Sequence, residues 1–309
     1  MVLKVVIASV IAVIVVVSLI IPFTGNPVDN NDVVDVILID GQSNGAYYVP
    51  AQYPQICQPE LVNQEIGEPS HKALYYGTEN AQVGRYTIDQ SSIREMYRDG
   101  QWVLGCYEPV LAYYQMEKNG RDVAIINVAM GGMDIEYLSE GYGWLFATKI
   151  IKAATSELKT MYSHLNYVGW IMAHGEADSV YSTEHYIEYF NELNKNLDKY
   201  HFKDCYVIMP RPVYTTTYEA FVELIADNPD VHLATDITST FTTSNGLLST
   251  DNVHYTQQGR IVAGEKVIDA LPPDKNDTVE INISEISTII PIIIVIGILL
   301  MIVRFMFKY

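Results

Sequence analysis

The sequence predicts an α/β domain with a doubly wound parallel sheet, set between two apolar terminal segments that read as transmembrane helices. Three observations predict it: short apolar runs that stop at glycine or proline, helical stretches between them, and a charge-free stretch at each end. The runs are residues 33–40 (VVDVILID), 122–129, 166–172, 205–209 and 231–234. The first stops at Gly41, the second before Gly131-Gly132, the third near His174-Gly175 and the fourth at Pro210. Strands buried on both faces of a parallel sheet read this way, apolar throughout rather than alternating. Helical stretches lie near 144–162, 181–200, 216–227 and 256–271, the last striped by Ile261, Val262, Val267, Ile268 and Leu271. Strand and helix in alternation put helices on both faces of one sheet.

Residues 5–22 and 288–303 carry no charge and are long enough, at about 1.5 Å rise per residue, to cross a hydrocarbon layer. Lys4 precedes the first; Arg304 and Lys308 follow the second. The positive-inside bias then puts both termini in the cytoplasm and the intervening domain on the far side of the membrane. The first apolar run exceeds a signal peptide's core, and no A-x-A-like site precedes Asn26, so an uncleaved anchor is expected. The expected organisation is an anchor over 1–23, an ectodomain over 24–271, a stalk over 272–287 and a second anchor with a short basic tail over 288–309. Within the ectodomain, residues 47–108 break the alternation and read as an insertion or lid, rich in Tyr, Gln, Pro and Gly. The stalk holds two sequons, at Asn276 and Asn282, which suit glycosylation on an exposed segment. Whether the anchors associate into a homo-oligomer is open.

A formal charge of −18 excludes nucleic acid as the default partner, since phosphate binding needs a basic footprint. Three cysteines are too few for a disulfide scaffold. Cys205 falls in a strand-like run and reads as a small buried hydrophobe. Cys57 and Cys106 both lie in the irregular region and are candidates for a bridge in an oxidising compartment.

Open parallel sheets gather their functional residues beyond the carboxyl ends of the strands. Four clusters fall there: Asp40-Gly41-Gln42-Ser43-Asn44-Gly45, Met130-Gly131-Gly132-Met133-Asp134, His174-Gly175-Glu176-Ala177-Asp178 and Asp251-Asn252-Val253-His254. Gly41–Gly45 also matches the G-x-S-x-G elbow of α/β-hydrolases. In that fold, however, the serine follows several strands and the acid and histidine sit on separate loops. Here the serine follows the first strand, and the acid and histidine are three residues apart.

The order G-Q-S-N at 41–44, G-G-x-x-I at 131–135, H-G-E-x-D at 174–178 and D-x-x-H at 251–254 resembles the SGNH hydrolases, in particular their sialate O-acetylesterase and acetylxylan esterase branch. The resemblance spans most of residues 35–270. It implies a flavodoxin-like sheet and a carboxylic ester hydrolase acting on acetylated carbohydrate, with Ser43 as nucleophile, His254 as general base and Asp251 as its orienting acid. The chemistry is self-consistent. A serine hydroxyl attacks at neutral pH once an imidazole takes its proton, and a carboxylate on the other ring nitrogen fixes the tautomer. Oxyanion or substrate contacts are expected from Ser43 N–H, Gly131, Gly132, His174, Gln42, Asn44 and Glu176, while Glu176 and Asp178 are also read as braces of the rim loops rather than direct participants. The branch usually has glutamine where this chain has His174. One imidazole N–H can still donate, while a satisfied core histidine or an altered activity are the other readings. No cofactor is implied, and no H-E-x-x-H or paired-Cys spacing supports a metal. Tyr47, Tyr48, Tyr75 and Tyr76 are candidates for stacking on sugar or for packing at loop boundaries. The rival to an enzyme is an inactive surface protein that keeps the fold to bind glycan or to assemble. A lipase-like or thioesterase relative is a third reading.

Overall fold

Continuous apolar runs put β1 (Val33–Gly41), β6 (Asp122–Asn127), β7 (His164–Ala173), β8 (Cys205–Ile208) and β9 (Val231–Thr235) into one sheet in the computed structural model. The structure describes residues 32–47, 54–77 and 92–272. The remaining strands are β2 (Ala73–Gly77), β3 (Arg94–Glu95), β4 (Tyr97–Arg98) and β5 (Gln101–Trp102). The main sheet has seven strands in the order β3-β2-β6-β1-β7-β8-β9, and β4 pairs with β5 in a separate ribbon. All pairings in the main sheet are parallel except β2 with β3.

The helices are α1 (Pro59–Glu65), α2 (Glu108–Asn119), α3 (Ile135–Ser139), α4 (Tyr142–Met161), α5 (Thr183–Asp198), α6 (Thr215–Asp227) and α7 (Gln257–Ala270). Side chains alternate across a strand, so β1 sends Val34, Val36 and Leu38 to one face and Ile37 and Ile39 to the other. The first set packs on residues of α3 to α6, such as Ile150, Phe190 and Phe221. The second packs on Val62 of α1, Leu111 of α2 and Ile261 and Val267 of α7. Each fully buried aliphatic side chain contributes about 1.5–3 kcal/mol, so β1, buried along its whole length, anchors both cores. The expected doubly wound α/β architecture is therefore present.

Two expectations need correction. The 47–108 region is not simply a lid. It contains β2, in register from Ala73↔Val123 to Gly77↔Asn127, as well as α1. Tyr75 and Tyr76 lie on this inner strand, 1% and 5% exposed, and Tyr47 is also buried. These rings are core residues, closed to a sugar; Tyr48 lies outside the described residues. The apolar run of β2 is only five residues long, three of them aromatic or glycine, which hid its strand character. Helix α2, over Glu108–Asn119, was not anticipated either, because its apolar and polar residues follow no clean stripe.

The chain divides into two units, Met1–Leu271 and Pro272–Tyr309. All the elements above belong to the first. The apolar end segments, the stalk and both sequons lie outside the described residues. Among the described residues no helix is long and apolar enough to cross a membrane.

The chain leaves β1 toward β2 on one side and later returns to add β7 on the other. The carboxyl end of β1 is thus the switch point where ligands bind in open α/β sheets. Gly41 makes the exit possible. Its φ is 129°, and a Cβ there would overlap the Ala173 carbonyl of β7. Replacing Gly41 by Ala is expected to destabilise the fold by about 3 kcal/mol or more, through backbone strain plus overlap. Thermal unfolding of the variant checks this, and an unchanged midpoint would contradict it.

Candidate active site

Ser43 sits in a tight turn at the end of β1, closed by Gly45 N–H and Ala46 N–H donating to the Gln42 carbonyl, both at 2.9 Å. Such a turn points its carbonyls away from the strand and leaves them to be satisfied elsewhere. The fully buried Arg260 of α7 supplies three of the bonds, to the carbonyls of Ser43 (3.1 Å), Asn44 (2.8 Å) and Ala46 (3.3 Å). Asn127, at the end of β6, donates to the fourth, Gly45, at 2.9 Å. The guanidinium also lies 5.4 Å from the Tyr107 ring centroid. Removing a donor that serves several buried carbonyls costs about 1–3 kcal/mol for each group left bare.

Asp251 and His254 occupy a turn just before α7. Asp251 Oδ2 is 2.7 Å from His254 Nδ1, while Oδ1 accepts from Ser249 Oγ (2.6 Å), Val253 N (2.8 Å) and His254 N (2.9 Å). Partial burial pushes this carboxyl up, but the hydrogen bonds from Ser249, from the His254 ring and from the two backbone N–H groups outweigh it. The group is held well below the usual carboxylate range. Asp251 is therefore ionised, which puts the His254 proton on Nδ1 and leaves Nε2 as an acceptor. Arg211, after β8, steadies the turn by donating to the Asn252 carbonyl at 2.7 Å.

Asn44 joins the two halves. Its amide nitrogen donates to Glu176 Oε1 (2.6 Å) and to the Val253 carbonyl (3.2 Å), and its oxygen accepts from Tyr255 N–H (3.0 Å). The residue after Ser43 thus binds the residues on either side of His254. Among the described residues no hydrogen bond joins the Ser43 hydroxyl to the His254 ring. Catalytic contacts of this kind are commonly loose in a free enzyme and tighten around substrate.

Gly131 and Gly132 follow β6, docked on β1 by Met130 N–H donating to the Gly41 carbonyl at 2.9 Å. Gly132 has φ 75°, the left-handed region in which glycine is at ease. Among the described residues, the backbone N–H groups of Ser43, Gly131 and Gly132 donate no hydrogen bond to the protein. Three donors at one sheet edge thus remain for a ligand.

His174, Gln42, Asn44 and Glu176, candidates for contact with oxyanion or substrate, bond one another and neighbouring loops, and Glu176 braces the rim as expected. His174 is 2% exposed, its Nε2 donating to the Met133 carbonyl at 3.0 Å and its Nδ1 receiving the Tyr186 hydroxyl at 2.9 Å. Both ring nitrogens are thus engaged within the protein, with Asp178 Oδ2 a further 3.4 Å neighbour of Nε2. Glu176 receives Gln42 Nε2 as well as Asn44, and Gln42 Oε1 accepts Ala177 N–H at 3.2 Å. Asp178 Oδ1 accepts Ile135 N–H at 2.9 Å, and Tyr181 donates to Asp134 at 3.0 Å. Together these bonds bind the 131–135 element to the 174–181 segment.

Sequence reasoning missed Arg260, Gln257, Asn127 and Tyr186. A signal was present for the first two: α7 places them on the face it turns to the core, where a polar residue needs a buried partner. Among the described residues no group of three His, Cys, Asp or Glu is arranged to hold a metal ion.

Two further carboxyls lie beside the Ser43 turn. Burial pushes Asp40 up to about 7, against the pull of its bond to Gly41 N–H. Burial, with the Cys106 sulfur beside it, pushes Glu108 up to about 8. Their ordinary values are 3.8 and 4.5, so the folded chain holds more protons than the unfolded one between those values and about 7 to 8. Their contribution to stability is complete below about pH 4 and is lost as pH rises through 7 to 8. The thermal midpoint is expected to fall between pH 5 and pH 8.5, and to fall less in Glu108→Gln. Equal slopes in the two proteins would contradict the assignment.

A family profile described as "Carbohydrate esterase, sialic acid-specific acetylesterase" matches residues 33–272. A search of curated protein sequences gives no match. Among solved structures, one from Arabidopsis thaliana aligns with TM-score 0.50 at 15% identity, covering 76% of this chain and 96% of that one. NanS aligns with TM-score 0.50 at 12% identity, covering 78% and 97%. At these identities the two structures speak for the fold. The profile spans the sheet and all four clusters at its edge, so the chain belongs to the carbohydrate esterase, sialic acid-specific acetylesterase family and is a carboxylic ester hydrolase.

Proposed function

We propose that this protein removes acetyl or other small acyl groups from carbohydrate through an acyl-serine intermediate on Ser43. The observation that carries the reading is the Asp251–His254 pair, tied through Asn44 to the residue next to Ser43. In this mechanism His254 Nε2 takes the Ser43 proton as the hydroxyl attacks the ester carbonyl. The carbonyl oxygen becomes an oxyanion facing the N–H groups of Ser43 and of Gly131 or Gly132. Each such donor is worth about 3–4 kcal/mol in the transition state. The protonated His254 then passes its proton to the departing sugar hydroxyl. Water, deprotonated by the same nitrogen, releases the acyl group as a carboxylate and restores Ser43.

His174 serves this scheme indirectly, by holding the Met133 carbonyl and so the Gly131-Gly132 turn. That arrangement supports the enzyme over a binding module that keeps the fold, because the exchange of glutamine for histidine leaves three backbone donors in place. The domain is proposed to act outside the cytoplasm, held by the charge-free segments 5–22 and 288–303, with Asn276 and Asn282 available for glycosylation.

Ser43→Ala is expected to lower turnover of a chromogenic acetyl ester by at least about 10³-fold while leaving circular dichroism unchanged. Across an acyl-chain series the wild type is expected to favour acetyl. Unchanged turnover in Ser43→Ala would remove Ser43 from the mechanism, and a preference for long chains would favour a lipase-like activity.

A further inference from the structure

Cys57 and Cys106 are fully buried, with their sulfurs 3.0 Å apart. They share a small apolar cluster with Ile56, Ala129 and the end of the nucleophile turn, Ala46 and Tyr47. The backbone is fitted to this approach. Cys106 takes φ 64°, in the left-handed region, and a Cβ on the preceding Gly105 would come within 2.7 Å of Cys57 Sγ. A single side chain clamps both sides of the pair. Gln257 Oε1 accepts from Cys106 N–H (2.6 Å) and Gln58 N–H (3.0 Å), and its Nε2 donates to the Cys106 carbonyl (2.9 Å). Gln257 opens α7, and one turn later Arg260 grips the carbonyls of Ser43, Asn44 and Ala46.

We propose that Cys57 and Cys106 are a disulfide site, and that the cross-link locks the seat of α7 beneath the nucleophile turn. One cysteine, as thiolate, attacks a disulfide oxidant such as oxidised glutathione and expels one thiolate. The second cysteine then attacks the mixed disulfide and expels the other. The two protein thiols give up two protons and two electrons, and the oxidant's disulfide is reduced to two thiols. Burial, and then the neighbouring Cys106, push the Cys57 thiol up, so the folded chain holds little thiolate there. The bond therefore forms while the chain folds and is slow to exchange afterwards. It closes a loop across a sequence separation of 49 residues, which restricts the unfolded chain and raises the unfolding temperature. A domain that folds outside the cytoplasm meets the oxidant it needs.

The test uses the full-length chain, folded in two portions, one with oxidised glutathione and one with dithiothreitol. After denaturation the oxidised portion is expected to titrate one thiol of the three cysteines, Cys205, with a linked peptide joining Cys57 to Cys106. Its thermal midpoint is expected to lie several degrees above that of the reduced portion. Three titratable thiols, or a bridge that includes Cys205, would overturn the site. A confirmed bridge with identical midpoints would overturn the lock. The sulfur chemistry is independent of the esterase reading, and turnover of a chromogenic acetyl ester, followed in both portions, separates the two. No turnover in either portion counts against the esterase and leaves the thiol result to decide the disulfide.

Discussion

The side chain of Asn44 is the contact on which the site depends. A primary amide offers two N–H donors and one strong acceptor in a plane, and here all three are committed: to Glu176, to the Val253 carbonyl and to the Tyr255 N–H. The three bonds reach two distant parts of the chain, one just after β7 and two around His254. An aspartate in its place would keep the acceptor but set a second carboxylate against Glu176. A leucine would take one bond from each of Glu176, the Val253 carbonyl and the buried Tyr255 N–H. Few side chains can saturate that geometry, which gives the residue after the serine its place in the G-Q-S-N run.

Around this contact the protein solves one recurring problem, the exposed carbonyls and amides of sharp turns packed at the edge of a sheet. Arg260 and Asn127 satisfy the Ser43 turn, Asp251 satisfies the His254 turn, and His174 with Asp178 satisfies the glycine turn. The buried charge of Arg260 faces carbonyl oxygens, while Asp40 and Glu108 are held toward their neutral forms by burial. The acidic balance of the whole chain thus stops short of the ground beneath Ser43. Among the described residues, the N–H groups of Ser43, Gly131 and Gly132 are not spent on these turns.

Much of this was legible in the sequence. The apolar runs ending at Gly41, Gly131 and Gly175 marked the strands that carry the site, because a buried parallel strand must be apolar on both faces. The four clusters were legible because each follows such a strand or adjoins the last helix. Strand β2 was not, since Ala-Leu-Tyr-Tyr-Gly is short and shares its composition with loops. The role of His174 was not legible either. Whether an imidazole meets a substrate or a buried carbonyl depends on where Met133 and Tyr186 lie, and both come from other segments of the chain. Arg260 was readable in principle, as a cation on the core-facing side of a helix, but its three acceptors are set by the turn more than two hundred residues earlier.

The most direct test of the central claim is covalent labelling with a fluorophosphonate probe, which reports a serine activated by its histidine rather than a merely exposed one. The full chain should take up one equivalent, mapped by peptide mass to Ser43, and His254→Ala should lose the label while keeping its fold. Absence of labelling in the wild type, or labelling of Ser43 that persists undiminished in His254→Ala, would contradict the account.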